Sequence, residues 1–187
     1  MTRAADYDRA VSVLLQGGII AYPTESVFGL GCDPDNGVAL RRLIDIKKRS
    51  EKKGMLIVCH DFDLVKRYIN QNLVDEEELK FAFSCWEGFC TLAVPASEAV
   101  HPLLRGDFPT VAVRISRHPA VAEICGRFKK PVVSTSANLS GREPLRTYAD
   151  TESVFGRTAD FILDGQTLGY ERPSRIIDLR TRKILRD

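Results

Sequence analysis

The chain has 187 residues, of which 44% are hydrophobic and 28% charged, and its formal net charge is +2. This length and composition suit one globular domain and exclude collagen-like, low-complexity and disordered proteins. No apolar run approaches the roughly 18 residues that span a bilayer, and residues 1–7 lack the apolar region of a secretory signal. We therefore expect a cytoplasmic protein without membrane contact, folded as a single domain over residues 1–187.

Apolar residues at helical spacing predict a first helix that ends near Gln16, before a Gly-Gly pair. Residues 19–22 are predicted to form a buried strand that Pro23 breaks, and residues 23–26 a loop rich in hydroxyls. A second helix is predicted over residues 37–48.

The later elements follow from similar signals. Strands are predicted at 55–59, 89–94, 111–115 and 131–134, and helices from Asp61 to about 69, at 76–85 and at 119–128. Closing strands are predicted at 161–163, 175–179 and 183–185, with residues 180–182 as a hairpin turn. Because strands and helices do not alternate strictly, the pattern predicts an α/β fold with a mixed sheet rather than a doubly wound one.

Basic residues are concentrated between positions 41 and 53, where seven lysines and arginines stand against Asp45 and Glu51. This asymmetry points to an anionic ligand near that segment. A solvated helix end has the same charge pattern, so charge alone leaves both interpretations open.

Cysteines and histidines give no sign of a metal site. The five cysteines form no CxxC pair and have no histidine at zinc-finger spacing, so we expect reduced, mostly buried thiols. We expect His60, His101 and His118 to be surface or helix-capping residues.

Familiar nucleotide-binding and hydrolase motifs are missing from the sequence. There is no GxxxxGK[ST] loop, Gly29-Leu30-Gly31 lacks a third glycine, and neither GxSxG nor HExxH occurs. Instead, the stretch Ser134-Thr135-Ser136-Ala137-Asn138-Leu139-Ser140-Gly141 follows a predicted strand. Its donors can wrap phosphate or carboxylate oxygens, although a turn that caps a helix has a similar composition.

A second hydroxyl-containing group, Tyr22-Pro23-Thr24-Glu25-Ser26, also follows a predicted strand. An ordinary loop with one buried tyrosine is the alternative interpretation. The ordered set of motifs nevertheless resembles the YrdC-like threonylcarbamoyl-AMP synthases, and the TsaC branch in particular. The matching motifs are Tyr22–Glu25 with Phe28–Asp33, Lys47–Arg49 with Lys53, Val111–Arg114 ahead of His118-Pro119, Ser134–Gly141, and Pro173-Ser174.

The resemblance runs over nearly the whole chain and implies a single YrdC-like catalytic domain. Its fold would be a twisted mixed sheet with flanking helices around a large concave cavity. The implied reaction joins L-threonine, bicarbonate and ATP into threonylcarbamoyl-AMP and releases pyrophosphate, the first step of tRNA threonylcarbamoyladenosine modification. Such a site need only position its substrates and stabilise developing charge, so no covalent nucleophile is expected.

The resemblance also implies ligands and partners. Mg²⁺ would enter with ATP, held by phosphates and water rather than by a protein metal site. The product would pass to a tRNA threonylcarbamoyl transferase complex, and RNA binding by this chain would be weak.

The resemblance assigns two groups of site residues. The ATP-binding residues would be Lys47, Arg49, Ser136, Asn138 and Arg186. The threonine-binding residues would be Thr24, Lys53, Arg114, Ser134 and Ser174, with Tyr22 and Thr91 as further candidates. A guanidinium such as that of Arg114 suits the substrate carboxylate because it can donate two parallel hydrogen bonds.

The sequence departs from the family pattern in two places. The stretch Trp86-Glu87-Gly88-Phe89-Cys90-Thr91 stands where the family commonly has Trp-Pro-Gly-Pro-x-Thr, and Ser50 stands where a proline is common. Both changes are expected to loosen the rim of the site. We also expect no extra carboxyl-terminal domain, of the kind that some relatives carry, after Asp187.

Two other functions fit parts of the sequence. Basic groups at 41–53 and 172–186 would suit a non-catalytic RNA-binding or ribosome-maturation module. A nucleotide sensor on the same fold would bind ATP without releasing pyrophosphate.

Overall fold

A computed structural model describes residues 2–139 and 141–187. Within these residues, the α-helices are α1 Ala4–Leu15, α2 Gly37–Lys47, α3 Phe62–Val65, α4 Glu76–Glu87, α5 Pro102–Arg105, α6 Pro119–Phe128 and α7 Tyr148–Phe155. The strands are β1 Ile20–Pro23, β2 Phe28–Gly31, β3 Leu56–Cys59, β4 Cys90–Pro95, β5 Thr110–Ile115, β6 Val132–Ser136, β7 Phe161–Ile162, β8 Arg175–Asp178 and β9 Ile184–Arg186. No helix among the described residues is both long and apolar enough to span a bilayer.

The described strands form one nine-stranded sheet in the order β7-β1-β2-β6-β3-β5-β4-β8-β9. The pairs β1–β7, β3–β5 and β4–β8 are parallel, whereas β1–β2, β2–β6, β3–β6, β4–β5 and β8–β9 are antiparallel. The predicted mixed α/β class is therefore confirmed, as is the hairpin between the last two strands.

Local capping explains where three of the helices begin. Asn36 Oδ1 accepts hydrogen bonds from the backbone N–H groups of residues 38 and 39 at the start of α2. His118 Nδ1 accepts from the N–H of Ala120, and Pro119 occupies the first turn of α6. His101 caps α5 in the same way, so the capping role predicted for His101 and His118 is confirmed.

Several elements differ from the sequence prediction. Pro23 does not break β1 but forms its last residue, opposite Phe28 of the unpredicted strand β2. Asp61 does cap a helix, but that helix ends at Val65 and continues as the 3₁₀ turn 66–68. Helix α7 was also not predicted, because it carries only a weak amphipathic pattern.

The two faces of the central sheet have different chemistry, because side chains alternate along each strand. One face carries fully buried apolar residues, such as Ile57, Leu92 and Val133, which pack into the core. On the other face, Leu56 of β3 lies between Ala112 of β5 and Ser134 of β6. That second face carries small and polar side chains, and it positions the functional groups described below.

Candidate active site

Buried residues from three predicted motifs meet around Gly29 of β2. A Cβ atom at this position would lie 3.1 Å from Ser134 Oγ, 3.4 Å from Tyr22 Cζ and 3.5 Å from Thr24 Cγ2. All three side chains are buried, and burial raises the pKa of Tyr22. A Cβ here would press on the Ser134 hydroxyl, so a glycine at this position leaves the three side chains in place.

A second buried group joins strand β4 to the end of the chain. The hydroxyls of Thr91 and Ser174 lie 2.7 Å apart and are hydrogen-bonded to each other. The Ser174 carbonyl accepts a hydrogen bond of 2.9 Å from Arg186 Nη2 of β9. The structure therefore places Thr91, Ser174 and Arg186 together.

Lys47, at the end of α2, supports the turn that follows β6. Its Nζ donates to the carbonyl oxygens of Ser136 and Asn138 at 2.6 and 2.5 Å and to Asn138 Oδ1 at 2.6 Å. Ser136 Oγ also donates to Asn138 Oδ1, at 2.7 Å. Since an ammonium has three protons, Lys47 is fully engaged in shaping this turn. Burial, reinforced by Arg49, lowers the pKa of Lys47 to about 8.

Arg49 lies beyond the left-handed residue Lys48 that ends α2. Its Nη2 donates to the carbonyl oxygens of Lys53 and Gly54, both at 2.8 Å, and burial lowers its pKa. The side chain of Lys53 is exposed, and only its carbonyl oxygen takes part in this contact. Arg49 is close enough to Lys47 and Arg186 to lower the pKa of each, whereas the Lys53 ammonium makes no contact with them.

Arg114 of β5 is only 6% exposed, yet within the described residues it donates no hydrogen bond. Its Nη2 lies 3.5 Å from Glu25 Oε2, and its guanidinium carbon lies 5.6 Å from the centre of the Phe89 ring. The Phe89 ring packs edge-on against Tyr170 with centroids 4.8 Å apart. A buried guanidinium with its donors available suits a ligand that supplies oxygen acceptors.

Positive charge accumulates on this face of the sheet. Lys47, Arg49 and Arg186 donate to carbonyl and amide oxygens, and across the described ranges none of the three pairs with a carboxylate. Burial and the neighbouring Arg114 and Arg49 lower the pKa of Arg186. By contrast, Arg41 and Arg42 form ion pairs with Glu51 and Asp160. Arg41 and Arg42 are thus neutralised by ion pairs, whereas Lys47 and Arg49 have no carboxylate partner among the described residues.

The altered loop between α4 and β4 is anchored despite its missing prolines. Trp86 Nε1 donates to the carbonyl of Val113 at 3.1 Å, and Phe89 adopts a left-handed backbone with φ of 59°. Such a φ is uncommon for a large residue and indicates that the loop is held by its surroundings. Ser50, the other departure, caps the 3₁₀ turn 51–53.

Sequence reasoning missed several residues that contact the candidate site residues. Glu25 was recognised within its motif but given no role, Phe89 was named only as a departure from the family pattern, and Tyr170 and Ser116, which contact Phe89 and Glu25, were not singled out. A charged residue directly after a buried strand was the available signal for Glu25. Ser140 of the hydroxyl-rich stretch lies outside the described residues. All five cysteines are free in the structure, and four of them are buried, as expected for most of them.

Two other features bear on ligands. Among the residues that the structure describes, no group of three or more His, Cys, Asp or Glu side chains could hold a metal ion. An apolar cavity of about 230 Å³ lies beneath α4, lined by residues such as Trp86, Val94 and Leu179. It contains none of the predicted site residues.

Comparison with known proteins gives a consistent result. A family model of the Sua5, YciO and YrdC proteins, described as "Telomere recombination", matches residues 12–187. A threonylcarbamoyl-AMP synthase of Vibrio parahaemolyticus is 40% identical over 181 residues, which cover 97% of this chain and 98% of the relative. The Xanthomonas axonopodis pv. citri threonylcarbamoyl-AMP synthase is 40% identical over the full length of both chains.

A solved structure shares the fold. P. abyssi Sua5 in complex with L-threonine superposes with a TM-score of 0.88 at 27% identity, over 95% of this chain. This chain spans about half of that protein, 52% of its length.

Proposed function

The chain belongs to the Sua5/YciO/YrdC family, and we propose that it is an enzyme that makes threonylcarbamoyl-AMP and pyrophosphate from L-threonine, bicarbonate and ATP. One observation carries the proposal. A buried arginine that donates no hydrogen bond to a described residue lies close to Arg186, and Arg186, Arg49 and Lys47 have no carboxylate partner in the described structure. A carboxylate and a polyphosphate are the ligands that match these two groups.

The hydroxyl-lined region around Gly29 is the proposed threonine pocket. Arg114 would hold the substrate carboxylate through two parallel hydrogen bonds. Thr24 and Ser134 both lie against Gly29 and would surround a small polar side chain, with Ser174, the residue before β8, as a further hydroxyl. Tyr22 lies beside Ser134 around Gly29, and Thr91 is hydrogen-bonded to Ser174, so both would hold these hydroxyls in position. Lys53 is exposed and would have to turn inward to reach the substrate.

The turn after β6 and the nearby cations form the proposed ATP phosphate site. Ser136 and Asn138 present polar groups that Lys47 holds in place, while Arg49 and Arg186 contribute guanidinium donors. Lys47 acts here mainly by fixing the turn, because its three protons are already donated to protein oxygens. A cationic site of this kind stabilises the charge that develops on a phosphoryl group under attack.

The chemistry itself is supplied by the substrates. The threonine amine and bicarbonate give a carbamate and release water. A carbamate oxygen then attacks the α-phosphorus of ATP, and pyrophosphate leaves. The protein's part is to orient the carbamate and the α-phosphate and to neutralise charge, which requires no covalent nucleophile.

We propose that magnesium enters the site bound to ATP. Mg²⁺ prefers oxygen ligands and retains much of its water, so the ATP phosphates and water would hold it. When bound, it would neutralise phosphate charge.

The product would serve a tRNA threonylcarbamoyl transferase complex as substrate. Because the cations of the site face small anions, we expect direct RNA binding to be weak, independent of sequence and strongly dependent on salt.

The proposal is tested by measuring pyrophosphate release with all three substrates and with each one omitted. Release that requires threonine, bicarbonate and ATP together supports the synthase. ATP binding without release would favour a nucleotide sensor. Tight, sequence-selective RNA binding that persists at high salt, with no release, would favour an RNA-binding module.

A further inference from the structure

The side chain of Glu25 is a buried charge that the proposed chemistry does not use. It lies in the loop between β1 and β2 and is 3% exposed. Ser116 Oγ donates to its Oε1 at 2.6 Å, while Oε2 faces Arg114 Nη2 at 3.5 Å and accepts no hydrogen bond from a described residue. Because Oε2 is closed off from solvent, the carboxylate does not touch a substrate and acts on the pocket through Arg114.

The charge of the Glu25 side chain can be removed without breaking the hydrogen bond that its backbone carbonyl accepts. Its backbone carbonyl accepts a hydrogen bond of 3.1 Å from the N–H of Tyr170, which ties the segment 164–174 to this loop. A glutamine at position 25 would retain that backbone bond and could still accept from Ser116 through Oε1. Replacement by glutamine therefore removes the charge while leaving these contacts in place.

The carboxylate divides the cations of the site into two electrostatic classes. Arg114 has a buried anion at 3.5 Å, so that pair is close to neutral as seen by an incoming ligand. Lys47, Arg49 and Arg186 have no such partner in the described part of the chain and remain a net positive group. Since charges buried in protein are weakly screened, this difference persists at physiological salt.

We infer that Glu25 is a specificity-determining residue that keeps the Arg114 pocket electrically matched to an amino-acid zwitterion and closed to phosphate groups. A zwitterion carries no net charge, so a neutral Arg–Glu pair accepts its carboxylate without repelling the molecule as a whole. A phosphate carries one to two net negative charges and is repelled by Glu25 at close range. The three uncompensated cations are left to bind phosphate. This inference rests on the proposed function, because it takes threonine as the occupant of the Arg114 pocket.

The test is direct binding of inorganic phosphate and L-threonine by calorimetry, which requires no catalysis. In the wild-type protein, phosphate should occupy the cationic group and change the threonine Kd by less than about threefold. In Glu25→Gln, phosphate should gain a second site and raise the apparent threonine Kd on the order of tenfold or more. The added substitution Arg114→Gln should abolish the second site. Ser116→Ala, which keeps the charge, should behave as the wild type.

The outcomes separate the inference from the proposed function. Phosphate competition that is equal in the wild type and in Glu25→Gln, or absent from both, would overturn the inference. If threonine fails to bind but Glu25→Gln still gains a phosphate site that depends on Arg114, the charge role stands and the proposed function falls. If Glu25→Gln does not fold, Arg49→Gln gives a second test. In Arg49→Gln, which keeps Glu25, phosphate binds the cationic group less well but should still not compete with threonine. Competition between phosphate and threonine in this variant would refute the inference.

Discussion

Replacing Arg114 by glutamine should raise the threonine requirement far more than the ATP requirement. The substitution removes the donor pair proposed for the substrate carboxylate, and a charged hydrogen bond contributes about 1.5–3 kcal/mol. That energy corresponds to an increase in the KM for threonine of roughly 10- to 150-fold. The KM for ATP should change by less than about threefold, because Arg49, Ser136 and Asn138 remain.

The same substitution should also destabilise the fold, because it leaves the Glu25 carboxylate buried without its cation. Breaking one partner of a buried ion pair costs about 3–5 kcal/mol. For a chain of this size, the cost corresponds to a fall in Tm of about 6–20 °C. Kinetics must therefore be measured well below the Tm of the variant.

The assay is steady-state pyrophosphate release, with threonine varied at saturating ATP and then the reverse. Arg117→Gln is a matched control, because Arg117 is exposed and lies just beyond β5. The control should leave both KM values unchanged. An Arg114→Gln enzyme whose two KM values rise equally, or whose threonine KM stays normal, would refute the placement of Arg114 in the threonine pocket.

Three further predictions concern the phosphate site and its supports. Arg49→Lys should reduce kcat/KM for ATP nearly as much as Arg49→Ala, because an ammonium cannot bridge two phosphate oxygens as a guanidinium does, and near-normal turnover of the lysine variant would contradict this. Lys47 releases its proton near pH 8 when folded but near 10.5 when unfolded, so the unfolded chain binds more protons between these values and the free energy of unfolding should rise with pH there. Denaturant titrations at pH 8 and pH 10 should show this gain, up to about 3 kcal/mol, in the wild type and not in Lys47→Met. Thr91→Val and Ser174→Ala should be non-additive in a double-mutant cycle by about 0.5–1.5 kcal/mol, since the two hydroxyls bond each other, and strict additivity would show that the bond contributes nothing.

Elements with strong local signals were predictable from the sequence. Helix α6 was predicted with the bounds that the structure has, because His118 caps it, Pro119 suits its first turn and apolar residues recur at helical spacing. Strand β2 carries no comparable signal, since two of its four residues are glycines. A Cβ at Gly31 would lie 2.3 Å from the Val133 carbonyl, so the glycine is explained only by the approach of β6.

The candidate site likewise contains residues with a local sequence signal and residues without one. The hydroxyls of Thr24, Ser134 and Ser136 could be singled out because each lies in a recognisable motif at or after the end of a predicted strand. The pairing of Glu25 with Arg114 was not found, because it joins a β1–β2 loop to β5 through space and leaves no spacing in the sequence. The engagement of all three Lys47 protons by one turn was hidden for the same reason.

Direct detection of the product tests the central claim most plainly. The protein would be incubated with L-threonine, ATP, Mg²⁺ and ¹³C-labelled bicarbonate, without RNA, and the mixture analysed by mass spectrometry. We predict a threonylcarbamoyl-adenylate that carries the ¹³C label and disappears when any one of threonine, bicarbonate or ATP is omitted. Folded protein that binds ATP and threonine but yields no labelled adenylate would contradict the account.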